Sequence, residues 1–259
     1  MMLPPRWTLY LGAVILAELA LPYAPVATAL LDATVLVIGL SHFGWAQRSP
    51  IALGDPGIRL LPVVALCALA RILSLTMPLP GEPPEYWLVL TGVPLLLAVL
   101  AAARLTHMDV DQVAITRVSV DWVSFAIVLV SVPCGVVLGL LSPQVLESER
   151  GSPLAAALLG GALVVGAAIP EELVFRGLLQ PLLADVLGRG APLLTSLVFA
   201  TTYVGSRSPA IVGLMALIGL IYGWELSRSR SLWAPLVGHS MLLLAGVYLA
   251  PLLLDPSLA

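Results

Sequence analysis

The chain has 259 residues, a formal net charge of −3, a mean hydropathy of +1.03, 59% hydrophobic residues and only 10% charged ones. Soluble domains carry about 25% charged residues, so this composition excludes a soluble globular protein and indicates an all-α, polytopic membrane helix bundle. No polar stretch is long enough for a large soluble domain, and no phosphate loop, internal repeat or nucleic-acid patch is present.

The apolar segments run at 7–22, 25–46, 60–77, 86–104, 121–141, 153–170, 191–206, 209–226 and 232–254. Several approach the roughly 20 residues that cross a bilayer. The breaks carry turn residues, among them Tyr23-Ala24-Pro25, Ser49-Pro50, Asp55-Pro56-Gly57, Pro78 to Pro84, Ser142-Pro143 and Ser208-Pro209. The first two segments are so close that they read either as two spans or as one broken helix, giving eight or nine transmembrane helices. The first segment lacks an Ala-x-Ala-like cleavage site and is expected to remain in place. Cys67 and Cys134 sit in apolar runs and read as small buried residues.

All twelve basic residues are arginine, which with abundant Ala, Leu, Gly and Pro suggests a GC-rich bacterial genome. With nine spans and a cytoplasmic N-terminus, Arg6, Arg48, Arg59, Arg104, Arg117, Arg176, Arg189, Arg228 and Arg230 fall inside. Arg150 and Arg207 fall outside, and Arg71 lies within a span. The bias fits the positive-inside rule and implies an integral protein of a bacterial cytoplasmic membrane.

Charges inside spans are costly and usually functional. Glu18, Asp32 and Arg71 read as interhelical partners, with Arg71 paired to one of the two acids. His42 reads as interfacial, His107, Asp109 and Asp111 as a solvated loop, and Glu225 with Arg228 as an interfacial ion pair. Gly160, Gly161 and Gly166 permit close helix packing.

The most informative stretch is Glu171-Glu172-Leu173-Val174-Phe175-Arg176, which follows an uncharged run from Leu154 to Pro170. Two adjacent carboxylates repel each other, and a carboxylate held away from bulk water is a candidate general base. Glu171 lies 18 residues past Pro153, about 27 Å along a helix, so it is expected near the cytoplasmic side. Pro170 should kink or break the helix. Residues 171–187 are expected to continue along the interface as a helix ended by Gly188. His239 is the only histidine well inside a span in the C-terminal half.

Residues 154–250 resemble the CAAX prenyl protease and bacteriocin-processing (CPBP, Abi) family of intramembrane proteases. Its Glu-Glu-x-x-x-Arg motif is present in full as Glu171, Glu172 and Arg176, followed by Gly177-Leu178-Leu179. Its Phe-x-x-x-His motif matches at Phe199 but has Tyr203 at the histidine position. Its His-x-x-x-Asn/Asp motif matches at His239 but has Leu243 at the amide position. Gly219-Leu220-Ile221-Tyr222-Gly223 and Ser231-Leu232-Trp233-Ala234-Pro235 add to the resemblance.

The resemblance implies a protease core at 154–254, preceded by transmembrane helices of unassigned role at 1–153. It implies an intramembrane endopeptidase that cleaves a membrane-embedded or membrane-associated peptide or protein with a glutamate-activated water. Glu171 would be the base and His239 an oxyanion donor. Glu172 would pair with Arg176 along one helix face and orient the first carboxylate. Tyr203 would stand where the family positions the water, and Thr201, Thr202 or Ser240 would replace lost polar groups in part. No cofactor is implied. Zinc at Glu171, Glu172 and His239 is the competing arrangement, weakened by the missing second histidine. The alternative function is a catalytically inactive relative that binds and regulates a membrane partner; a transporter is a third reading, without the inverted symmetry it requires.

Overall fold

The computed structural model describes residues 6–49, 54–77, 84–109, 111–142 and 153–254. Pro50, Pro78, Pro143 and Arg150, noted in the sequence, lie outside them.

Every described element is a helix or turn. The helices are α1 (Arg6–Ala20), α2 (Pro25–Ala46), α3 (Pro56–Thr76), α4 (Pro84–Leu105), α5 (Trp122–Leu141), a long composite α6 (153–187), α7 (Ala191–Thr201), α8 (Pro209–Ser229), α9 (Trp233–Tyr248) and the short α10 (Ala250–Leu254). Prolines open α2, α3 and α8, where the missing N–H costs nothing. Asp55, Asp121 and Ser208 cap the free amides of α3, α5 and α8. The Ser124 amide, aided by Arg228, holds the Asp121 carboxyl below the usual carboxylate range.

Seven stretches among the described residues are long and apolar enough to cross a membrane. One of them, Leu154–Ser206, folds back on itself at the Gly188–Gly190 turn, where Gly188 takes φ +55°. Its two arms, the other six stretches and the shorter α1 match the eight to nine spans expected. Exposed leucines and valines such as Leu97, Leu100, Val130, Leu197 and Leu217 face outward where lipid would lie.

α1 and α2 form an antiparallel hairpin, not one broken helix: Tyr10 meets His42 and Ala17 meets Thr28. Arg59 at the start of α3 reaches the Thr106 carbonyl after α4 and Asp185 in α6. Arg228 at the end of α8 reaches Asp121 before α5. These contacts gather one arginine-rich end of the bundle. Glu225 pairs with Arg228 there, as expected, but is fully buried and also accepts from Ser124.

Helices touch at backbone distance where glycine allows it. A Cβ on Gly92 of α4 would lie 2.3 Å from the Gly166 Cα of α6, and one on Gly135 of α5 would lie 2.1 Å from the Leu242 oxygen of α9. Gly166 therefore packs closely, as expected, whereas Gly161 faces open space. The main core draws on both halves of the chain, from Trp7, Leu60 and Val64 to Leu178, Leu182, Phe199 and Met215.

Pro170 does not end the helix, but regular α-winding is interrupted on both sides of it. The chain is wound as a π-helix over Val164–Ala168, with the Ile169 amide reaching back to the Val164 carbonyl, and again over Leu173–Leu179. Wide turns keep the proline ring clear of the preceding carbonyls and let the helix continue. Residues 171–187 do not lie along the interface. Leu178, Leu179, Leu182, Leu183 and Arg176 are all buried, because α7 and α8 cover the face that carries them. The whole of α6 is roughly 50 Å long at about 1.5 Å per residue, well beyond a 30 Å hydrocarbon core.

Candidate active site

The long α6 carries Glu171, Glu172 and Arg176 near its middle, and α7 returns beside it in the opposite sense. Glu171 therefore meets Tyr203, and Phe175 and Arg176 meet Phe199. α8 then passes with Gly219, its midpoint, against Arg176. The site lies level with the middle of α8. Arg176, expected at the inner boundary, is fully enclosed.

The two adjacent glutamates face different surroundings. Glu172 is sealed. Its Oε1 accepts from Arg176 Nη1 at 3.1 Å and meets His239 Nδ1 at 2.8 Å, with all three side chains fully buried. The expected i,i+4 pair is present, but the group that Glu172 orients is the imidazole of His239. Glu171 is 30% exposed; its Oε2 accepts the Tyr203 hydroxyl at 3.0 Å and lies 3.7 Å from His239 Nε2, too long for a hydrogen bond.

Arg176 is held on aromatic faces. Its guanidinium carbon lies 4.1 Å from the Phe199 ring centre, with Tyr222 at 5.9 Å and Phe175 at 6.0 Å. Gly219 makes this possible: a Cβ there would stand 3.0 Å from Arg176 Nη2 and 3.1 Å from Phe199. Phe199 also packs edge-on against His239 and Tyr203. Tyr222 contributes its ring to the same enclosure and anchors its hydroxyl on Ser131 at 2.7 Å. The Gly-Leu-Ile-Tyr-Gly stretch thus has a physical role that its spelling alone did not reveal.

A cavity of about 170 Å³ opens beside Glu171 and Tyr203. Its other polar walls are Glu18, Arg71, Ser74 and Thr202, three of them from the N-terminal helices. Arg71 pairs with Glu18, one of its two foreseen partners. Sequence reasoning missed that this pair borders the site, since α3 and α7 are far apart in the chain.

The candidate replacements for the lost polar groups are committed elsewhere. Thr201, Thr202 and Ser240 donate their hydroxyls to carbonyls of their own helices. Leu243 packs with Ile127, Ile218, Tyr222 and Leu242 in an apolar cluster. The donor set does not suit zinc. Glu172 and Glu171 lie against opposite nitrogens of one imidazole, so the three groups cannot converge on one ion.

Residues 153–244 match the family model described as type II CAAX prenyl endopeptidase Rce1-like. Over this segment the chain is similar to that family. Among curated proteins and solved structures, nothing matches significantly. The Rce1-like segment covers about a third of the chain and contains all five candidate residues, Glu171, Glu172, Arg176, Tyr203 and His239, as well as the altered position Leu243. Glu18 and Arg71 lie outside it.

Proposed function

We propose that the chain is an intramembrane endopeptidase in which Glu171 activates a water against a peptide bond of a membrane-embedded or membrane-associated substrate. One observation carries this reading: of two adjacent carboxylates, one faces a cavity and the other is locked behind it by Arg176 and His239. Paired carboxylates in unequal surroundings are how one fold separates chemical roles. The Rce1-like segment supports a CAAX-protease type of activity.

In the reaction, Glu171 takes a proton from the water while its oxygen attacks the carbonyl carbon. The tetrahedral intermediate collapses with cleavage of the C–N bond, and the proton passes to the leaving nitrogen. The Tyr203 hydroxyl occupies Glu171 Oε2 and leaves Oε1 for the water. His239, with its Nδ1–H donated to Glu172, presents Nε2 towards Glu171; a proton there would make it a donor to the oxyanion. Tyr203 is neutral at ordinary pH and orients without acting as a base. We assign the arginine-rich end, which includes Arg6 at the start of α1, to the cytoplasm.

A second reading has its own observation. Leu243 faces an apolar cluster where the family pattern has an amide, so no side chain from that position can bind an oxyanion. A relative that has lost cleavage and retains partner binding would show this.

Cleavage of membrane peptides by the purified protein in detergent or vesicles separates the readings. Glu171→Gln should lower cleavage about 10²–10⁴-fold, the contribution of a general base, with folding intact. Tyr203→His with Leu243→Asn should raise it, since one oxyanion donor is worth about 10²–10³-fold. Equal cleavage by wild type and Glu171→Gln would sink the glutamate mechanism. Activity only in the double variant would favour the inactive relative.

A further inference from the structure

The segment that carries Tyr203 is gripped from outside the Rce1-like region at three points. Arg71 of α3 donates Nη2 to the Thr202 carbonyl at 2.6 Å. Arg207 donates to the Pro22 carbonyl between α1 and α2 at 2.5 Å. Gly205 packs so tightly on Leu21 that a Cβ would meet its Cδ2 at 3.0 Å. Thr202 and Arg207 flank Tyr203 in the chain, and Tyr203 has the one described hydrogen bond to Glu171.

Arg71 is built for this task. Glu18 accepts its Nε at 2.9 and 3.0 Å and its Nη2 at 2.6 Å, while Nη1 donates to Ser74 Oγ at 3.2 Å. Glu18 is nearly fully buried, and Arg71 retains 14% side-chain exposure towards the cavity. The planar fork is thus fixed from one side by a carboxylate, and its other side is free for the carbonyl. That carbonyl belongs to the residue capping the C-terminus of α7, where helix carbonyls lack intrahelical partners and the dipole attracts a cation.

We infer that the Glu18–Arg71 pair is a positioning device for the candidate active site, holding the Thr202–Tyr203 turn so that the Tyr203 hydroxyl meets Glu171. The N-terminal helices are then part of the site's construction. The structural half of this inference stands without any assumed activity; its catalytic half rests on Glu171 as the base.

The test uses the full chain purified in detergent and the variant Glu18→Gln/Arg71→Met, which removes both charges of the pair together and leaves Asp32 as the one buried carboxylate of that cluster. Hydrogen exchange read by mass spectrometry should quicken on the order of tenfold or more in peptides covering 199–207, with peptides from α8 and α9 unchanged. Exchange unchanged at 199–207, or raised equally throughout the bundle, overturns the inference. Arg71→Lys keeps the buried charge but loses the fork; it should show a smaller quickening confined to the same peptides, and it decides the matter if the double variant does not fold.

Cleavage supplies a second readout. Arg71→Lys should lower the rate about tenfold in wild type but less than about twofold in Tyr203→Phe, because coupled groups do not add. Equal losses in both backgrounds would show that Arg71 acts on the fold and not through Tyr203. If wild type cleaves nothing, the endopeptidase reading fails, while the exchange measurement still judges the clamp.

Discussion

Replacing Arg176 by methionine tests the buried centre without assuming any activity. Methionine keeps an unbranched stem of similar reach and removes the guanidinium. Three losses follow at once: the 3.1 Å bond to Glu172, the stack on Phe199 and the charge balance of a fully enclosed carboxylate. Breaking one side of a buried pair costs about 3–5 kcal/mol, mostly through the partner left behind. The cation–π contact is worth up to about 2 kcal/mol when desolvated and overlaps with that figure, so the two are not summed. We expect a loss of about 3–5 kcal/mol for Arg176→Met. Adding Glu172→Gln should recover much of it, since a neutral amide oxygen still accepts from His239 and no bare charge remains. Reversible unfolding in mixed micelles, followed by tryptophan fluorescence, measures both. A single variant within about 1 kcal/mol of wild type, or a double variant as unstable as the single, would refute the reasoning.

Two further outcomes follow from the packing and the charge pattern. Gly135→Ala should destabilise by about 1–3 kcal/mol or more, because its methyl would meet the Leu242 carbonyl at 2.1 Å and push α5 from α9; an unfolding midpoint equal to wild type would contradict that contact. A reporter fused after Arg230 should be active only on the cytoplasmic side, and activity on the far side alone would reverse the orientation.

The helices were legible because each apolar run is close to one bilayer thickness and ends in proline, glycine or charge. The acidic pair and His239 stood out because ionisable groups are rare in such runs, and the structure brings them together with Tyr203. Residues 171–187 were misread for a physical reason. Leu173, Leu178, Leu179, Leu182 and Leu183 beside Arg176 and Gln180 look like an amphipathic surface helix. Here the polar side chains are instead held inside: Arg176 Nη1 by Glu172 with its face on Phe199, and Gln180 Nε2 by the Gly223 carbonyl. Pro170 does disturb the helix, but that the disturbance takes the form of π-turns and not a break is a response to local crowding that propensity does not encode. The Arg71–Thr202 contact joins residues 131 apart, and no local pattern announces such a pairing.

The turn after α7 has a consequence for where solvent meets this bundle. Thr201 is the last α-helical residue of α7, and Phe199, two residues earlier, stands level with the midpoint of α8. Regular helix therefore stops about 3 Å beyond that midpoint, well within the length of α8. Hydrocarbon cannot satisfy the amides and carbonyls of an irregular segment. Residues 205–207 are exposed, and although the Ser206 and Arg207 amides are bonded within the turn, a bilayer tolerates such a segment only where water reaches it. On the reading of Glu171 as the base, the interruption of α7 is the route by which water, the second reactant, would reach that carboxylate.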